Sequence, residues 1–189
     1  MSTPRSFDPH RLDIAAFALA AGELHGEWPL ARMPRLLQDA LPLSPDSPAQ
    51  TVAWSAAGSH KVVTGGEPEI RLLLKVGTTL RLTCQRCLRP MNVQLDISPS
   101  LRFVRGGAQA EALDEDSEED VLALAPALDL LPLVEEELIL ALPLVPRHEV
   151  CPDPLPMSAG EDELAASDAT ERAFAGLASL IRDGGGKPS

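Results

Sequence analysis

EIRLLLKVGTTLRLTCQRCLRPMNVQLDI, residues 69–97, decides the fold class. It holds three short runs, EIRLLLKV, TLRLTC and MNVQLDI, rich in Leu and β-branched residues and separated by Gly77-Thr78 and by a cysteine-containing knuckle. Alternation of apolar and polar residues is clearest in Arg81-Leu82-Thr83 and from Val93 to Ile97. A period of two on short, turn-bounded segments predicts strands buried on one face. Upstream, TVAWSA and HKVV continue the pattern from Thr51, with Gly58-Ser59 and Gly65-Gly66 as further turns. Residues 51–104 therefore predict a curved antiparallel β-sheet or partly closed barrel.

Helices flank this sheet, so the predicted class is α+β. In DPHRLDIAAFALAAGE, Asp8 can cap, Pro9 suits the first helical position and Gly22 can terminate. ELHGEWPL reads as extended, Met33 to Leu41 as a second short helix, and SPDSP (residues 44–48) as a loop. Beyond the sheet, DLLPLVEEELILALPLVP predicts a helix from about Leu130 to Leu142, capped by Asp129, with Leu131, Val134, Leu138 and Leu142 on one face. The triplet Glu135–Glu137 within it reads as a solvated face, since no nucleophile accompanies it. The chain of 189 residues divides into a single α+β domain over 1–157 and a tail over 158–189. That tail comprises a linker, a short helix within ERAFAGLASLIRD and a disordered GGGKPS end.

The formal net charge of −12 conceals a split. Residues 70–105 carry seven bases (Arg71, Lys75, Arg81, Arg86, Arg89, Arg102 and Arg105) against the single acid Asp96, whereas the chain after Arg105 carries 19 acids and four bases. Arginines alternating along a half-buried sheet can be its wet face. They can also form a phosphate-binding surface, and on that reading Arg71, Arg81, Arg86, Arg89, Arg102 and Arg105 are the RNA-binding candidates. Aromatic residues make up 3% and Tyr is absent, so base stacking is a poor basis for recognition. EALDEDSEED, residues 111–120, has seven acids and no base, and its self-repulsion predicts a mobile acidic loop near 107–120. No apolar run of roughly 18 or more uncharged residues is present. The N-terminal MSTPRSFDPHRLD lacks the pattern of a signal peptide. Both predict a cytoplasmic protein without membrane contact.

The three cysteines are Cys84, Cys87 and Cys151. Cys84 and Cys87 stand at C-x2-C spacing, and His148 and Cys151 at H-x2-C spacing. Together they form a Cys3His set of the ligand types zinc prefers in a closed tetrahedral site. Zinc, small packed thiols and a redox pair compete for this motif. The redox reading is weakened because Leu-Arg-Pro, rather than a helix, follows Cys87. A hydrolase or nuclease built on this zinc is an alternative, disfavoured because four protein ligands leave no open position for water.

CQRCLRPMNVQL, the acidic stretch leading into DLLPLVEEELILALPLVPRHEVC, and the closing FAGLASL together resemble the YceD family of large ribosomal RNA subunit accumulation proteins. The likeness runs from about Leu72 to Ile181 and maps Cys84, Cys87, His148 and Cys151 onto motif positions. The resemblance implies a non-enzymatic, bacterial, cytoplasmic factor needed for synthesis, processing or stability of large-subunit ribosomal RNA. Its implied partners are that RNA or its precursor. From the charge split, a basic large-subunit ribosomal protein meeting the acidic segments is a further candidate partner.

Overall fold

The computed structural model describes residues 6–42, 50–62, 68–115, 117 and 119–152. The SPDSP loop, the Gly65-Gly66 turn, the linker, the C-terminal helix and the GGGKPS tail lie outside them. Contacts gather Met1–Cys151 into one unit.

In chain order the described elements are α1 (Ile14–Leu19), β1 (Glu23–Pro29), β2 (Thr51–Lys61), β3 (Glu69–Thr83), β4 (Pro90–Ile97), β5 (Ser100–Val104), α2 (Gly107–Asp114), β6 (Asp120–Ala123) and α3 (Leu130–Leu140). The strands form one six-stranded sheet that does not close, with the order β1-β2-β3-β5-β6 and β4 also paired to β3. The mixed α+β class is as expected. The pairings are antiparallel except for β5 with β6, which run parallel. Parallel neighbours need a crossover connection, and α2 lies within it.

β3 organises the sheet. It is 15 residues long, pairs with β2 over 69–77, and shares its other edge between β5, over 70–73, and β4, over 76–83. Neither Gly58-Ser59 nor Gly77-Thr78 is a turn. Gly77 sits mid-strand, opposite Ala53 on one side and Asp96 on the other. Gly58 sits within β2, where a Cβ would fall 2.7 Å from Phe17 Cδ1 and 2.9 Å from Ala18 Cα. The glycine is there because α1 crosses the strand at close range, a use that local pattern cannot distinguish from a turn.

Alternation then sets the two faces. Val52, Trp54 and Ala56 of β2 and Leu72, Leu74, Val76, Leu80 and Leu82 of β3 are buried. They pack with Phe17, Leu36, Leu101, Phe103, Leu130, Val134 and Leu138 into one core. Trp28 and Trp54 stack there with ring centroids 4.4 Å apart.

Three helical expectations shift. The first helix starts at Ile14 and is capped by Asp13, which accepts from the Ala16 amide at 3.0 Å. Asp8 and Pro9 do not start it, because Leu12 exchanges two 2.8 Å backbone bonds with Leu128 and is thereby held extended. Met33 to Leu41 yields only a 3-10 turn at Leu36–Gln38, preceded by another at Leu30–Arg32. The segment expected to be an acidic loop contains α2 and leads into β6. Two acids of the segment find partners elsewhere in the fold. Asp114 accepts from the Val121 amide at 2.8 Å, and Glu119 meets Arg71 across the sheet. α3 follows expectation, with Asp129 accepting from the Leu131 amide at 3.0 Å.

Candidate metal centre and arginine surface

The cysteine knuckle grows directly out of β3. Cys84 is the next even position after Leu72, Leu74, Val76, Thr78, Leu80 and Leu82, all buried, and it too is fully buried. The chain then reverses into β4. The Cys84 amide donates to the Arg89 carbonyl at 2.9 Å and the Leu88 amide to the Cys84 carbonyl at 2.8 Å. Leu88 closes this turn at φ +58°, a left-handed conformation costly for a side chain with a Cβ, and it is 74% exposed.

The second half of the cluster arrives from the far end of α3. Burial of Leu130, Val134 and Leu138 seats that helix on the core, and the Gln85 amide donates to the Pro146 carbonyl at 2.8 Å, tying the following segment to the knuckle. One ligand atom each from Cys84, Cys87, His148 and Cys151 then lies within 4.8 Å of all the others. Cys87 Sγ and His148 Nδ1 are 3.4 Å apart. Zinc bonds of 2.0–2.3 Å place tetrahedral ligand atoms roughly 3.3–3.8 Å apart, so closing on an ion requires about 1 Å of contraction.

The surroundings also suit a metal. The His148 amide donates to Cys84 Sγ at 3.4 Å. Burial pushes the Cys84 thiol up, but backbone N–H groups of Cys87, His148 and Arg86, with the Cys87 side chain, outweigh it and hold Cys84 down to about 5. The thiolate is the metal-binding form of cysteine. Burial pushes Cys87 up, and the neighbouring Cys151 and Cys84 side chains add to the rise. Arg86 supports the cluster: its Nε donates to Cys151 Sγ at 3.0 Å and its Nη2 to the His148 carbonyl at 2.8 Å.

The six arginine candidates separate into three settings. Arg86 is committed to the knuckle, and exposed Arg89 stands at its end. Arg71 and Arg81 occupy odd positions of β3, on the face opposite the core, together with Lys75. Arg81 Nη1 reaches the Pro42 carbonyl at 3.4 Å. Arg102 of β5 pairs directly with Arg71, and both are bound by acids: Arg71 by Glu69 at 3.2 Å and by Glu119, Arg102 by Glu69 at 3.5 Å. Arg105 is exposed just past β5, beside a cavity of about 430 Å³ that Ile70, Phe103 and Leu124 also line. Arg71 and Arg81 are ten residues apart on an extended strand, which is about 33 Å.

The sequence reading missed the role of Glu135. It is only 7% exposed, and its Oε1 accepts from the Arg35 amide at 2.7 Å and the Leu36 amide at 3.2 Å. Its neighbour Glu136 pairs with Arg35 Nη1 at 2.6 Å. Three consecutive glutamates give no sequence signal as to which turns inward.

A family model described as large ribosomal RNA subunit accumulation protein YceD matches residues 72–181, more than half of the chain and all four cluster residues. A relative named large ribosomal RNA subunit accumulation protein YceD, from Haemophilus influenzae (strain ATCC 51907 / DSM 11121 / KW20 / Rd), is 40% identical over 74 residues. The match covers 39% of this chain and 42% of the relative, so the chain spans less than half the length of that curated relative. No solved structure matches the chain. Among the described residues no helix is long and apolar enough to cross a membrane. The knuckle grown from β3, the segment that returns to it from α3 and the matched span all agree: the chain belongs to the YceD family.

Proposed function

We propose that this protein is a non-enzymatic, cytoplasmic factor that supports the accumulation of large-subunit ribosomal RNA by binding that RNA or its precursor along the outer face of the sheet. The observation that carries the reading is the row of Arg71, Lys75 and Arg81 at odd positions of one strand, with Arg102 beside Arg71, in a chain whose family is described by large ribosomal RNA accumulation. Same-face residues on a strand can follow one phosphate track, and phosphate contacts supply salt-dependent affinity without reading sequence. Arg89 and Arg105 extend the basic surface at its two ends.

Cys84, Cys87, His148 and Cys151 would hold zinc as a closed four-ligand set. A bound zinc would supply a cross-link between the β3–β4 knuckle and the segment after α3, with no coordination position left for a substrate. Arg86 orients Cys151 and the backbone around His148 and Glu149.

The test is a filter-binding titration of a large-subunit ribosomal RNA transcript across salt concentrations, comparing wild type with a Lys75→Glu/Arg81→Glu variant. Each phosphate no longer neutralised flattens the log affinity against log salt slope by about one unit. The fold persists, because exposed basic side chains contribute little to stability. Equal affinity and equal slope for the two proteins, both folded, would remove the outer face as the RNA surface.

A further inference from the structure

Arg71 and Arg102 face each other across the β3–β5 pair. Like charges directly opposite on neighbouring strands are destabilising unless an anion lies between them. Two carboxylates fill that role. Glu69 sits between the guanidiniums, 3.2 Å from Arg71 Nη2 and 3.5 Å from Arg102 Nη2. Glu119, from the acidic segment before β6, binds Arg71 Nη1 and also accepts from Ser100 Oγ at 3.2 Å. The arginines remain under-satisfied even so, since the Nε atoms of both are buried without a hydrogen-bond partner. A guanidinium offers five donors in a planar fork suited to a tetrahedral oxyanion. Here the two forks meet at Glu69, and Arg71 alone also reaches Glu119.

We infer that Arg71, linked to Arg102 through Glu69, is a phosphodiester oxyanion site on the outer face of the sheet, and that Glu119 occupies it as an internal competitor which RNA must displace. This inference rests on the RNA-binding reading above and adds to it a specific phosphate subsite and the group that restrains it. The two carboxylates differ in attachment. Glu69 belongs to β3 itself, whereas Glu119 comes from beyond α2, and its bond to Arg71 joins residues 48 apart in sequence. An anion that replaces Glu119 keeps Arg71 neutralised and leaves the Glu69 bridge in place. The sheet then needs no rearrangement to accept it. A carboxylate held on a phosphate site raises the charge barrier to weak polyanions, so dense phosphates displace it best.

The experiment compares wild type, Glu119→Gln and Glu119→Gln/Arg71→Gln. The probes are a fluorescein-labelled large-subunit ribosomal RNA transcript, measured by anisotropy over a salt series, and inorganic tripolyphosphate, measured by thermal shift. Glu119→Gln is expected to bind the RNA several-fold more tightly, with a salt slope steeper by roughly 0.7–0.9 because one more phosphate is neutralised. Adding Arg71→Gln is expected to cancel that increase. Tripolyphosphate is expected to raise the melting temperature of Glu119→Gln more than that of wild type, and not that of the double variant. If wild type binds RNA and Glu119→Gln binds it with the same affinity and slope, the inference is overturned and the RNA reading stands. If RNA binds none of the three proteins while tripolyphosphate shows the expected order, the oxyanion site stands and the RNA reading falls. Indifference to both probes overturns both. Should Glu119→Gln lose its cooperative melt, Glu69→Gln removes the other carboxylate on Arg71 and is read in the same assays.

Discussion

Replacing Glu135 by Ala should destabilise the protein more than any other change in the glutamate triplet, and the structure gives the size. One carboxylate oxygen, Oε1, accepts from two amides, those of Arg35 and Leu36, and Leu36 is fully buried. Alanine leaves both donors without a partner, at about 1–3 kcal/mol for a buried donor and less for the one that water can reach. The sum is about 2–4 kcal/mol, or a fall of roughly 5–15 °C in melting temperature for a unit of this size. Glu136 loses only a surface ion pair with Arg35 on truncation, a contact between exposed groups that contributes little. Glutamine at 135 keeps an acceptor oxygen where both bonds end, so it should cost about 1 kcal/mol, the difference between a charged and a neutral acceptor. Urea denaturation of the three variants gives the comparison, with midpoints shifted and slopes unchanged. Equal losses for Glu135→Ala and Glu136→Ala would refute the account of Glu135 as the clamp between α3 and the turn at Leu36–Gln38. The clamp bears on the metal centre, because α3 delivers the chain that carries His148 and Cys151.

Metal removal tests the cluster. Protein loaded with cobalt in place of zinc should show thiolate charge-transfer absorption that Cys87→Ser weakens and a chelator abolishes. The chelated protein should keep its far-ultraviolet spectrum, because the core around Phe17, Leu74 and Leu138 does not include the four ligands. Absence of that absorption in reduced, metal-loaded protein would return the cysteines to the role of packed thiols. The glycines make a contrasting pair. Gly58→Ala should cost about 1–3 kcal/mol by pressing a methyl into Phe17 and the Ala18 backbone. Gly107→Ala, with nothing within 4 Å of its new methyl, should stabilise α2 by up to about 1 kcal/mol. A thermal melt in which both are neutral would show that α1 yields more readily than its packing implies.

The sequence by itself determined the strand character of residues 51–104, the cap at Asp129 and the identity of the four cluster residues. Each of these depends on local periodicity or on spacing within a few positions. Period-two alternation carries Leu72 through Cys84 inward whatever surrounds the strand, and the C-x2-C and H-x2-C pairs are visible without knowing how they meet. Only the tertiary structure decided that Gly58 and Gly77 lie inside strands, because a close helix crossing and a turn ask for the same residue. It also decided which glutamate of three turns inward, and that the acidic stretch begins within α2 and ends on the first residue of the parallel strand β6. A count of acids along the chain contains the repulsion but not Arg71, which stands 48 residues away from Glu119 in sequence and next to it in space. For the same reason the six arginines, equivalent along the chain, became different groups: one committed to the knuckle, two held by carboxylates, and the others set along the outer sheet and at its ends. Burial, partners and distance across the sheet distinguish them, and these exist only once the strands have paired.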